Sequence, residues 1–94
     1  MAMLFVFENV YPIVRKFMTK VAQIVDACGL QCPMPLLKMK QALHNISVGE
    51  VVELLATDAG SQKDVAAFAK LSGHDLLVSS EEEGVYRYRL RRTH

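Results

Sequence analysis

Ninety-four residues, 51% of them hydrophobic, fit one small domain with one core, and a net charge of +1 provides no general coat for nucleic acid or an acidic surface. Two cysteines are too few for the disulfide framework of a small secreted protein, and without a Cys/His cluster at zinc spacing no metal site is expected. No apolar run reaches the roughly 20 residues that span a bilayer, and a reducing cytoplasm, where a free thiol survives, is the expected compartment.

Met1–Lys20 opens with Leu4-Phe5-Val6-Phe7 and continues through Glu8, Pro12 and the pair Arg15-Lys16. A secretory signal carries its positive charge before a longer apolar stretch, and here the order is reversed. Residues 1–20 therefore read as an N-terminal extension, poorly ordered or lying upstream of a start at Met18. The alternative is an amphipathic membrane or partner helix built on Val10, Ile13, Val14 and Phe17. Residues 21–92 form the expected domain.

Val21–Asp26 is short, β-branched and partly alternating, which predicts a strand. Ala27–Gln31, with Gly29, reads as a loop. Leu36, Met39, Leu43 and Ile46 then step by three and four, predicting a helix over Leu36–Ile46 with Lys38, Gln41 and Asn45 on its wet faces. Asn45–Gly49 closes it. Glu50–Thr57 is a second strand, and its run Val51-Val52-Glu53-Leu54-Leu55 suits the inside of a sheet.

Ser61 with Asp64 resembles a capping box at the start of a second helix, whose buried face is Val65, Phe68, Ala69 and Leu71. Gly73 stands where a left-handed C-cap is expected. Asp75–Ser80 and Val85–Arg91 are strands joined by the acidic turn Glu81-Glu82-Glu83-Gly84. The order is βαβαββ, and two right-handed crossovers place both helices on one face of the sheet. Tyr86, Tyr88 and Leu90 then lie under the helices. Arg87, Arg89 and Arg91, joined by Arg92, make a basic stripe on the open face. That stripe is either a solvated row with cross-strand partners such as Glu53, or a docking surface for RNA or an acidic protein.

Cys32-Pro33-Met34-Pro35 is the most informative segment, a thiol directly before two prolines at a helix entrance. Proline is tolerated in the first turn, where its missing N–H has no intrahelical partner. The helix dipole, with free amides on Met34 and Leu36, favours thiolate at such a place. Pro33 and Pro35 remove two donors, so their main contribution is rigid presentation. Cys32 is the candidate nucleophile or sulfur-bearing atom, with a buried structural cysteine as the alternative.

Cys28, four residues earlier, is either an auxiliary thiol, able to resolve a persulfide or form a Cys28–Cys32 disulfide, or a small loop residue. Asp26 is expected to pin the loop before Cys32 through backbone hydrogen bonds, and Asp58 to hold the turn into the second helix. His44 sits near a helix C-terminus and His74 serves local backbone. No Ser/His/Asp set, phosphate-binding glycine loop or paired-carboxylate signature is present, so neither hydrolysis nor a cofactor is expected.

The pattern Asp26-x-x-Gly29-x-x-Cys32-Pro33-x-Pro35, followed by an amphipathic helix, resembles the TusA/SirA-like sulfur-carrier family. The likeness continues through Thr57-Asp58, Asp64 and Gly73-His74, over about residues 21–92. The resemblance implies an α/β (α+β) two-layer sandwich like the C-terminal domain of translation initiation factor three. Its four-stranded mixed sheet would have order 1-2-4-3, with strand four antiparallel and the arginine stripe mid-face. It implies that Cys32 accepts a sulfane sulfur as a persulfide from a donor protein, a cysteine desulfurase or rhodanese, and relays it to an acceptor protein.

The family's uses are tRNA thiolation, cofactor biosynthesis and sulfur oxidation. Asp26, Gly29, Pro33 and Pro35 would support the motif; Cys28 receives no role, and residues 1–17 lie outside the likeness. A carrier of this kind works between proteins, so direct nucleic-acid binding is not part of the leading expectation. Two other functions stay open. One is a non-catalytic regulatory or RNA-binding module using Arg87, Arg89 and Arg91; the other is a Cys28–Cys32 redox switch.

Overall fold

The chain is seen in a computed structural model that describes residues 21–94. The readings of residues 1–20 as an extension, an early start or an amphipathic helix lie outside the described residues. The elements follow the expected order: β1 (Val21–Ala27), α1 (Met34–Asn45), β2 (Val51–Ala56), α2 (Ser61–Ser72), β3 (Asp75–Glu82) and β4 (Val85–Arg91). The sheet runs β1-β2-β4-β3, with β1 parallel to β2 and β4 antiparallel to both its neighbours. The order, the antiparallel fourth strand and the mid-sheet arginine strand are as the resemblance implied.

Period-two alternation explains the two layers. Val52, Leu54 and Ala56 pair with Leu90, Tyr88 and Tyr86, and all but Tyr86 are fully buried beneath the helices. Above them pack Met39, Ala42 and Leu43 of α1 and Val65 and Ala69 of α2. Each large apolar side chain so buried contributes about 1.5–3 kcal/mol. Because β1 and β2 are parallel neighbours ending at the pair Ala27↔Ala56, the loops that leave them emerge side by side. That edge holds the cysteine.

Several local expectations are corrected. Helix α1 starts at Met34, with Pro33 at its N-cap and Pro35 inside the first turn, two residues before the apolar stripe alone indicated. At α2, Gly60 rather than Ser61 occupies the N-cap, and no side-chain capping bond forms. The Ser61 hydroxyl is turned inward instead, 2.7 Å from the Tyr88 hydroxyl in a buried pair. Leu71 is 87% exposed. It lies two residues past Ala69, roughly 200° around the helix, on the wet side.

Gly73 does close α2 in the left-handed region, φ 82°, with its N–H donating to the Ala69 carbonyl. Strand β3 runs on to Glu82, so the acidic turn shrinks to Glu83-Gly84, both at positive φ, and Glu81 accepts the Gly84 N–H at 2.9 Å.

The arginine stripe lies on the open face and is paired there with two carboxylates. Arg89 Nε donates to Glu53 Oε1 at 2.8 Å, Arg87 Nε stands 3.8 Å from the same oxygen, and Arg91 pairs with Asp75 at 2.7 Å. This is the paired reading, with the named partner Glu53. Arg92 does not join the stripe. By alternation it falls with Tyr88 and Leu90 on the helix side, where its guanidinium donates to the Ile46 carbonyl and so closes the end of α1.

Candidate functional site

Two loops make the site, and four hydrogen bonds from their backbone amides set its shape. In the first, Asp26 Oδ1 accepts the Cys28 N–H at 3.0 Å, and Leu30 N–H reaches back to the Ala27 carbonyl. Asp26 therefore holds the turn that leaves β1. Gly29 sits at φ 84°, a conformation side chains resist, and its N–H donates to Thr57 Oγ1 at 2.8 Å. Cys32 N–H donates to Asp58 Oδ2 at 3.0 Å. Those last two bonds fasten the β1–α1 loop to the β2–α2 loop. The Cys32–Pro33 peptide is cis.

The side chain of Asp58 thus has a different task from the expected one. Its backbone carbonyl holds the turn into α2, accepting from Ser61 N–H at 3.0 Å, while its carboxylate crosses to the cysteine. Gly60 makes that approach possible. A Cβ built there would stand 3.4 Å from Cys32 Sγ and 3.2 Å from Asp58 Oδ2, so thiol and carboxylate flank one crowded point. Nothing in the spacing of the chain singled out Gly60; a glycine before a helix was its only signal.

The electrostatics reverse the expected activation. The Asp58 carboxylate beside the thiol, partial burial, and the Asp64 carboxylate push Cys32 up from 9.0 to about 12. The reciprocal bonds from the Cys32 side chain and backbone hold Asp58 below the usual carboxylate value. The helix entrance cannot offset two carboxylates, because its amides are scarce. Met34 N–H is taken by the Gln31 carbonyl at 2.9 Å and Pro35 has none. At neutral pH Cys32 is a thiol.

Cys32 is half-buried, which sets aside the buried structural cysteine. In the first turns of α1 after it, Met34 and Leu37 are 45% and 46% exposed. Beneath α2, the Ser61–Tyr88 pair fixes the first turn from below, and burial pushes the Tyr88 phenol up. Cys28 is exposed and free, its thiol raised chiefly by desolvation and then by Asp26.

The structure therefore brings together Cys32, Asp58, Gly60 and Asp64, with Asp26, Gly29, Pro33 and Pro35 shaping the loop. Arg87, Arg89 and Arg91 lie on the other face of the sheet. Among the described residues no group of three or more His, Cys, Asp or Glu is placed to hold a metal ion, and no helix is long and apolar enough to cross a membrane.

The family model described as "Sulfurtransferase TusA" matches residues 23–92. The chain is 44% identical over 71 residues to "Sulfur carrier protein TusA" of Allochromatium vinosum, covering 76% of this chain and 93% of that protein. It is 44% identical over 64 residues to a "Putative sulfur carrier protein" of Archaeoglobus fulgidus, covering 68% and 88%. Among solved structures it is similar to a SirA-like protein of Desulfitobacterium hafniense, with a TM-score of 0.68 at 26% identity, over 77% of this chain and 99% of that one.

Proposed function

Because the chain belongs to the TusA sulfurtransferase family, and its relative in Allochromatium vinosum is named a sulfur carrier, we propose that residues 21–92 are the carrier unit and that Cys32 holds the sulfur as a persulfide. The Cys32 sulfur, deprotonated on docking, attacks the outer sulfur of a donor protein's persulfide. One S–S bond forms and one breaks; the donor's inner sulfur leaves as a thiolate and takes up the proton that Cys32 lost. No net oxidation occurs. In the second half an acceptor thiolate attacks the outer sulfur now on Cys32, and the Cys32 thiolate is the leaving group, reprotonated beside Asp58. The donor is a cysteine desulfurase or a rhodanese in a reducing cytoplasm. The destination is tRNA thiolation, cofactor biosynthesis or sulfur oxidation.

The observation that carries this reading is the placement of Cys32: half-exposed between two cross-braced loops, with Met34 and Leu37 exposed in the first turns of α1 for a partner to cover. The raised thiol fits a carrier that is inert when alone. A partner that brings positive charge to Asp58 and Asp64, or displaces them, frees the thiolate only in the complex. Incubation with a cysteine desulfurase and cysteine is expected to add the mass of one sulfur to the intact protein. Cys32→Ser is expected to gain none, and Cys28→Ala to gain it as the parent does. Equal loading of Cys32→Ser overturns the proposal.

A further inference from the structure

The open-face arginines pair with Glu53 and Asp75, whereas two of the cations outside those pairs, Lys40 and Arg92, converge elsewhere. At the end of the helix layer remote from Cys32, the C-terminal halves of α1 and α2 and the tail after β4 enclose a cleft of about 440 Å³. Leu43 and Phe68 give it an apolar base, and Lys40, His74, Arg92 and His94 surround them. His44 lines it as well. No Asp or Glu side chain lines the cleft, and among the described residues none pairs with Lys40 or Arg92.

The polar groups around the apolar base are held in place. Lys40 Nζ stands 5.2 Å above the Phe68 ring, and the His74 and His94 rings stack at 4.6 Å. Thr93 N–H donates to His74 Nδ1 at 3.1 Å, which fixes that ring and leaves its other nitrogen without a hydrogen-bond partner among the described residues. Arg92 spends Nη1 on the Ile46 carbonyl and Nε on the main-chain oxygen of His94, leaving Nη2 without a partner among the described residues. Burial and then the neighbouring His94, Arg92 and His44 hold His74 below its usual value, while Asp75 alone opposes them. A ring kept short of protons by burial and then by its neighbours is one that an anion would recharge.

We propose that this cleft is a binding site for a small organic phosphate, with the phosphoryl group on Lys40, Arg92 and His74 and the carbon part on Leu43 and Phe68. Phosphate needs converging cationic donors, and the apolar base under them favours a phosphate ester over the bare ion. The inference does not depend on sulfur carriage, since none of these residues touches Cys32 or its loops.

Titration of the full chain with AMP near neutral pH and low salt, followed by NMR, tests it. AMP is expected to move the Phe68, His74 and His94 signals and to raise the His74 pKa. Lys40→Gln and His74→Gln are each expected to weaken AMP about tenfold, the loss of one charge-assisted contact. Arg87→Gln, on the other face, is expected to leave it unchanged. Arg92 is not substituted because it also closes α1. Adenosine binding as tightly as AMP overturns the phosphoryl assignment, and inorganic phosphate binding as tightly overturns the organic one. No shift at millimolar AMP, or shifts confined to the Arg87–Arg91 strand, overturns the site.

Discussion

A thiol faced by two carboxylates is a weak nucleophile until its proton is given somewhere to go. Asp58→Asn removes the larger of those influences while keeping the acceptor for Cys32 N–H. The expected outcome is a fall of at least about one pKa unit, and so about a tenfold faster alkylation by iodoacetamide at a pH below the parent's midpoint. The sign also sets a stability profile. A thiol raised to about 12 in the folded chain favours folding while it is protonated. That contribution is present below its unfolded value of 9.0 and is lost as pH rises from 9.0 toward 12. Cys32→Ser is expected to flatten this alkaline loss in urea-unfolding measurements. A cysteine at a helix start and an Asx turn at Asp26 are local patterns, and as patterns they were legible in the sequence. The carboxylate of Asp58 was not, since its bond spans 26 residues and depends on β1 and β2 being parallel neighbours.

Periodicity identified every strand and helix of the described chain, and it failed where a side chain had a tertiary use that local pattern does not encode. Ser61 has the right neighbours for a capping box, yet a buried hydroxyl with Tyr88 beneath it is better satisfied there than at solvent. Tyr88→Phe strands that hydroxyl, and the expected cost is about 1–3 kcal/mol in chemical denaturation, with Ser61→Ala adding little on top. Leu71 shows the opposite failure. Three apolar residues fixed the face of α2, and a fourth apolar residue on its wet side was drawn into the stripe by hydrophobicity alone. Helix α1 began earlier than its stripe because Pro33 and Pro35, with φ already preset, fit the cap and first turn. The apolar stripe carries no trace of that.

Across the whole molecule, charge is sorted by layer. The open face carries arginines whose acids lie on adjacent strands, and Glu53, only 7% exposed, is the hub. Arg89→Ala leaves that carboxylate with only the distant Arg87, and is expected to destabilise by about 1–3 kcal/mol without changing sulfur loading. Equal stability of Arg89→Ala would contradict a structural role for the stripe. The layer architecture, strand order and placement of Tyr88 and Leu90 under the helices were legible, because alternation and crossover handedness leave few arrangements. The cleft at the far end was not. Its residues come from α1, α2, the turn after it and the tail, and only the fold converges them.

The central claim is that Cys32 alone carries the sulfur, and one measurement addresses it directly. After loading by a cysteine desulfurase, the tryptic peptide spanning residues 21–38 contains both Cys28 and Cys32, so fragmentation by tandem mass spectrometry places the added sulfur on one of them. The account predicts it on Cys32, and its disappearance when an acceptor thiol is added. Sulfur on Cys28, or on neither thiol, would contradict it.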